Sequence, residues 1–398
     1  MQRTKYTMRS HSGIRKLPFR IIILSLCVLS AVALTGCTLS HDRGSAAPSD
    51  DTRLPDTDDT AADATDKPDT ADPVTANHAV TSITDASLLA QREKTMFDGD
   101  LALAAANDRE FPIANTFGEL SVPTYFTKVN DTYFLVDCYH NQILYHDNTE
   151  DQVWQWNVLP GELAMPHTIA SDGTVYLVDD TENHRVVVYE RYEGHFIITQ
   201  TFEHIGIRPH YSQYNEADQT FYVWSSMTGE MYLFKRADED DAAYHPVYLA
   251  EIRKINKLDG VYVRSFTIME DEIYIVSGNS TIIRAKLADF TIIEEYPVPA
   301  EMAGMIQISR LGSMFYITIS TDACGNQDYA TIIRTEDLRD LVSGGYEDIY
   351  EWFIGGGTPY YISEVDGSYY MTEHRIPGHS LWRFEAEGES IRNITEIY

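Results

Sequence analysis

Six residues recur at one position of a repeated pattern and carry groups capable of hydrogen bonding or metal ligation: Thr124, His167, His210, Arg264, Gln307 and Tyr360. Each follows the first residue of a short run, at Pro123, Pro166, Pro209, Val263, Ile306 and Pro359. The intervals between those first residues are 43, 43, 54, 43 and 53. Core packing would prefer apolar side chains at a shared position. Hydroxyl, imidazole, guanidinium and amide groups around one mouth would suit an anionic or polyhydroxylated ligand, or else simply face water. His167 and His210 are also candidate ligands for zinc or a similar ion, which accepts imidazole nitrogen but needs a third His or carboxylate. The equivalent positions supply none, and Arg264 opposes a cation. No cofactor is therefore assigned, zinc or calcium being conceivable only at these two histidines.

Other reaction chemistries find little support. The sequence has no G-x-S-x-G elbow, no HExxH and no phosphate-binding loop. Gly355-Gly356-Gly357 lacks the Lys and Ser/Thr of such a loop and reads as a turn. His374 and His379 occupy a loop of the last repeat and are not placed by sequence alone. No catalytic residue is assigned.

The elements that must position these residues are strands. From about Asn115 the chain alternates short aromatic and β-branched runs with turn residues every 8–12 positions. Six segments share one layout, and their spacing is the length of a four-stranded propeller blade. Two intervals need insertions, supplied by Ala237 to Tyr244 in the third segment and by Cys324 to Tyr329 with Glu336 to Tyr346 in the fifth. The expected fold is all-β, a six-bladed propeller over residues 115–398. Fourth strands are expected at Val153 to Leu159 and Ile391 to Ile397. A strand near Phe111 to Glu119 either helps close the ring or does not. Residues 84–106 read as helix in two pieces, with Asp98-Gly99 as the break, making a helical neck over 83–114.

The segment Asp172-Gly173-x-Val175-Tyr176-Leu177-Val178-Asp179-Asp180-x-x-Asn183-His184-Arg185-Val186 resembles an NHL repeat. Blade one follows it loosely, with Asp137, His140 and Gln142 at the Asp, Asn and Arg positions. The resemblance covers one blade well and one poorly. It implies a propeller in which the Asp, Asn and Arg brace a turn between middle strands, and it implies no activity. Some NHL-like propellers, the peptidyl-amidoglycolate lyases, use channel histidines for zinc.

The N-terminus reads as an address. Residues 1–20 hold six cations and no acid, and an apolar run follows from Ile21 to Leu34. That run is short for a bilayer span and fits a secretory signal. Leu34-Thr35-Gly36-Cys37 resembles the bacterial lipobox, which implies diacylglycerol on Cys37 and cleavage before it. The expected home is the extracytoplasmic face of a bacterial cell membrane, held there by acyl chains at about 0.8 kcal/mol per buried methylene. Residues 37–82, rich in Asp, Thr and Pro, read as a disordered tether spanning roughly 35–40 Å. A disulfide between Cys138 and Cys324 is permitted outside the cytoplasm, but the two lie in distant blades.

The formal net charge of −31 over 398 residues argues against nucleic-acid binding. Without residues 1–36 it becomes −37, most of it on the folded domain. The leading expectation is a ligand- or partner-binding lipoprotein without catalysis. Its alternatives are a metal-assisted lyase or lactone hydrolase at the same mouth, and an envelope scaffold factor.

Overall fold

The computed structural model describes residues 80–95, 112–238, 244–321, 328–353, 357–374 and 378–398. The signal segment, Cys37, the tether up to residue 79, the stretch from Leu101 to Ala106 and Cys324 lie outside the described residues.

Six antiparallel sheets follow one another along the chain, each with four strands from one continuous segment. This is the six-bladed propeller. The innermost strands are Pro123–Val129, Pro166–Ser171, Pro209–Asn215, Val263–Met269, Thr358–Val365 and, in blade five, Met305–Leu311. Second and third strands are buried on both faces because blades stack face to face. They therefore read as unbroken apolar runs such as Phe134-Leu135-Val136. Six apolar clusters result, one between each pair of neighbouring blades. The expected insertions fall between strands of blades three and five.

Among the described residues, blades one and six share no strand. Their junction is a side-chain seam. Lys128 pairs with Asp366 at 2.6 Å. The Tyr398 hydroxyl donates to the carbonyls of Thr149 and Asp151 at 3.0 and 2.8 Å. Phe126 packs on Tyr370 with ring centroids 4.6 Å apart.

The segment before the first blade carries the expected short helix, and residues 96–111 of the expected 83–114 neck lie outside the described residues. Its only helix among the described residues is one turn, Ala86–Ala90, capped by Asp85, whose carboxylate accepts from the Ser87 amide at 2.9 Å. Either side of it the chain is extended. Val80–Ile83 pairs with Val247–Ile255 as a fifth strand of blade three. Glu93–Thr95 pairs with His195–Phe202 as a fifth strand of blade two. Ile113–Ala114 pairs with Asn157–Val158 as a fifth strand of blade one. The described parts of this segment thus form a strap of edge strands on three successive blades, and the first, Val80–Ile83, overlaps the stretch assigned to the tether. Unpaired backbone groups on an outer strand attract any extended chain that can reach them. That pairing outweighs the local helical pattern of a few residues. Leu89, 2 % exposed, pins the strap onto the cluster between blades two and three.

Candidate functional site

Each innermost strand begins with a register shift against its second strand, at the same place in all six blades. The extra residue bulges toward the axis. Thr124, His167, His210, Arg264 and Tyr360 occupy this position. In blade five the strand starts at Met305, and the bulged residue is Ile306. Gln307 lies one residue further on, a correction to the expected ring. The misreading came from two adjacent apolar residues, either of which satisfies the pattern.

The ring is not a water-lined funnel. His167 is 3 % exposed, His210 1 %, and Arg264 and Tyr360 6 % each, while Thr124 and Gln307 are buried as well. Inner strands of neighbouring blades share no backbone ladder, so their axis-facing carbonyls need other donors. Side chains supply them around the whole ring. Thr124 donates to the His167 carbonyl at 2.8 Å. The Thr168 and Ser212 hydroxyls meet at 2.8 Å. His210 Nδ1 lies 3.2 Å from the Arg264 carbonyl. Ser265 donates to the Ile306 carbonyl. The Gln307 amide donates to the Ile362 carbonyl at 3.2 Å and accepts from the Ile362 amide at 2.7 Å. Thr372 donates to the Thr124 carbonyl at 2.6 Å and completes the circle. Thr124 and Gln307 are therefore inter-blade staples. On the axis itself, Tyr125, Tyr211 and Tyr361 pack edge to face, with centroids 4.9–6.5 Å apart. Burial raises the phenol pKa of all three.

The remaining ring residues gather at the end of the axis where the inner strands begin. The imidazoles of His167 and His210 pack 3.7 Å apart. Their nitrogens face different partners. His167 Nδ1 lies 2.9 Å from the Thr181 hydroxyl and Nε2 3.8 Å from Cys138 Sγ. His210 Nε2 lies 3.5 Å from the Tyr262 hydroxyl. The two histidines thus do not converge on a shared point, contrary to their pairing as zinc candidates. Arg264 sits over the Tyr262 ring at 4.8 Å. Tyr360 packs near both His167 and His374, at 6.1 Å from each. Desolvation, followed by the nearby His167, Arg208 and Arg264, holds His210 well below the ordinary histidine range, so it is neutral. Below the pair, buried Asp179 accepts from the amides of His167 and Thr168 at 2.8 and 2.9 Å. Its burial pushes the carboxyl pKa up to about 8.

The NHL-like residues are braces. Asp180 accepts from the Ala164 amide, Asn183 and Arg185 at 2.6, 2.8 and 2.6 Å. Asp137 does the same with the Ser121 amide, His140 and Gln142 at 2.6, 2.7 and 3.0 Å. The same post recurs where sequence shows no motif. Ser225 accepts from the Ile207 amide at 2.9 Å, and Glu373 from Gly357. In each case the donor lies two residues before the first proline of the blade.

Sequence reasoning missed Tyr262 and Asp179 at this mouth, and left Cys138 and His374 without a place in it. The signal available was their place at or next to the end of a second strand, or just before a first strand. Those positions meet the start of the inner strand at the same mouth.

No protein-family model matches the chain, and no curated protein matches it in sequence. Solved structures resemble its fold. A streptogramin B lyase is 14 % identical, with a TM-score of 0.48 over 71 % of this chain and 85 % of that one. A 6-phosphogluconolactonase-like protein of Bacteroides fragilis is 12 % identical, with a TM-score of 0.47 over 70 % and 83 %. Hydrazine synthase of Kuenenia stuttgartiensis is 15 % identical, with a TM-score of 0.44 over 67 % and 77 %. Likeness at this level concerns the fold and carries nothing about chemistry.

Proposed function

We propose that the protein is a cell-envelope lipoprotein, anchored through Cys37 on the extracytoplasmic face, whose propeller binds an anionic ligand at the axis mouth. The residues assigned to that binding are His167, His210, Arg264 and Tyr360, with Tyr262 and His374 beside them. The observation that carries this reading is the placement of the His167 ring and the Arg264 guanidinium. Inter-blade stapling accounts for Thr124 and Gln307 but not for these two groups. At His167 and Arg264 the staple falls on the backbone carbonyl, which leaves the side chain outside it. A buried guanidinium and two closely packed imidazoles, tilted by 30° with centroids 3.7 Å apart, meet at this mouth. They concentrate donors in a chain that is otherwise strongly acidic. The lipobox-like Leu34-Thr35-Gly36-Cys37 supports the anchor.

Two measurements test the reading on the full-length protein made in a bacterial host. Mass spectrometry should find a diacylglyceryl mass on Cys37, and Cys37→Ala should leave the membrane fraction. In detergent, inorganic phosphate, citrate or glucuronate should raise the wild-type melting temperature. A folded His167→Gln/His210→Gln/Arg264→Gln variant should lose that shift. A shift that persists in the variant, or no shift with any of the three anions, removes this mouth as an anion site. Turnover of a lactone by the wild type would replace binding with catalysis.

A further inference from the structure

We propose that the crevice between blades one and two, at the end of the propeller away from the axis mouth, binds a neutral polyhydroxylated small molecule of monosaccharide size. The inner strands begin at the mouth, and in an antiparallel blade the third strand runs the same way as the first. Third strands therefore end at the far face. Tyr145 and His146 close the third strand Gln142–His146 of blade one, and Arg191 lies at the close of Arg185–Tyr192 in blade two. Thr132 opens the second strand of blade one at that face, and Asn157 opens its fourth. These residues, with Asp147 and His195, line a cavity of about 220 Å³.

Tyr145 carries the inference. It is 5 % exposed, its ring packs edge to face on Phe196 at 4.8 Å, and its hydroxyl makes no hydrogen bond among the described residues. Buried hydroxyls are nearly always paired, so one left over at a cavity wall points to something that enters the cavity. Arg191 stands close enough to act on the phenol electrostatically. Its guanidinium donates to Thr132 Oγ1 at 2.8 Å and has no carboxylate within ion-pair distance among the described residues. Thr132, itself buried, accepts that bond and keeps its own proton to give. The Asn157 side-chain amide is likewise uncommitted among the described residues.

The class of ligand follows from the mixture of groups. Arg191, Tyr145 and Thr132 donate, Asp147 accepts, and Asn157 does both. Asp147 already lies 2.9 Å from His146 Nδ1 and 3.0 Å from Asn148 Nδ2, and a carboxylate has capacity beyond two such contacts. A small anion would meet the Arg191 and Asp147 charges together, whereas neighbouring hydroxyls on one ring can use both. The volume equals that of roughly seven waters at about 30 Å³ each, which is room for one sugar ring rather than an oligosaccharide. The cavity shares no residue with the axis mouth, so anion binding there is neither needed nor implied.

The test is saturation-transfer NMR on full-length protein, in a sugar-free detergent, with glucose, galactose and mannose as separate probes. At least one sugar should bind saturably to the wild type, and equally to the mouth variant His167→Gln/His210→Gln/Arg264→Gln. Tyr145→Phe should weaken binding by about 3–10-fold and Arg191→Gln by at least about 10-fold, the range for one lost neutral or charge-assisted hydrogen bond. Without sugar, Tyr145→Phe should melt no lower than the wild type, because the hydroxyl it removes has no partner in the folded chain. Circular dichroism establishes that each variant is folded. Should Arg191→Gln not fold, Tyr145→Phe carries the test alone. The proposal fails if none of the three sugars binds, if a folded Tyr145→Phe binds as the wild type does or melts lower without sugar, if a folded mouth variant loses the signal, or if acetate displaces the sugar.

Discussion

The Thr372 hydroxyl of blade six donates to the Thr124 carbonyl of blade one at 2.6 Å, both groups being buried. With the Ser363 hydroxyl, which donates to the Phe126 carbonyl, it joins the end of the propeller to its beginning, where no strand is shared among the described residues. Thr372→Val keeps the shape and orphans the Thr124 carbonyl. It should cost about 1–3 kcal/mol in urea unfolding. An unchanged midpoint and slope would show that the seam does not depend on this bond.

The brace beneath each mouth loop should rank by charge. Asp180→Ala strands the Arg185 guanidinium and two donors, and should cost about 3–5 kcal/mol. Ser225→Ala in blade three removes a neutral acceptor from the Ile207 amide, and should cost about 1 kcal/mol. Equal losses in denaturant titration would mean that the Asp180 carboxylate adds nothing beyond a hydroxyl's bond.

The strap offers an internal control. Leu89 is 2 % exposed and its neighbour Leu88 is 53 % exposed. Leu89→Ala should destabilise by about 2–4 kcal/mol. Leu88→Ala should stay within about 0.5 kcal/mol. Similar effects at both would show that the strap peels away before the propeller unfolds.

Asp179 gives a pH signature. Burial raises its carboxyl to about 8 from an ordinary 3.8. Between these values the folded chain keeps a proton that the unfolded chain has lost. The group's contribution to stability is complete below pH 3.8 and is lost as the pH rises through about 8. Asp179→Asn, which resembles the neutral carboxyl, should flatten the fall in stability from pH 5 to pH 8. Equal slopes in wild type and variant would mean that Asp179 is ionised in the folded state.

The blades were legible because both signals are local. Aromatic and β-branched runs such as Tyr176-Leu177-Val178 mark strands buried on two faces, and Asp-Gly pairs mark turns. The Asp180, Asn183 and Arg185 brace was legible because its members lie within six residues. Ser225 and Glu373 were not, since one buried acceptor of any type can receive an amide, and no fixed residue identity is required. Gln307 was misplaced by one position because the pattern at Met305-Ile306 is apolar at two consecutive residues. The strap escaped notice for another reason: Val80–Ile83 and Glu93–Thr95 are strands only because blades three and two offer them an edge.

By itself the sequence determined the six-fold repeat, the strand-rich domain and the polar character of the inner-strand start, because a repeated hydrophobic period dictates which faces are buried. What those polar groups do was decided by the tertiary structure. Blades that radiate from an axis leave inner-strand carbonyls without a ladder. Thr124, Gln307 and Thr372 answer that need across 43 to 248 residues of chain. The same convergence brings Cys138 to His167, from turns and bulges of different blades that no spacing rule connects.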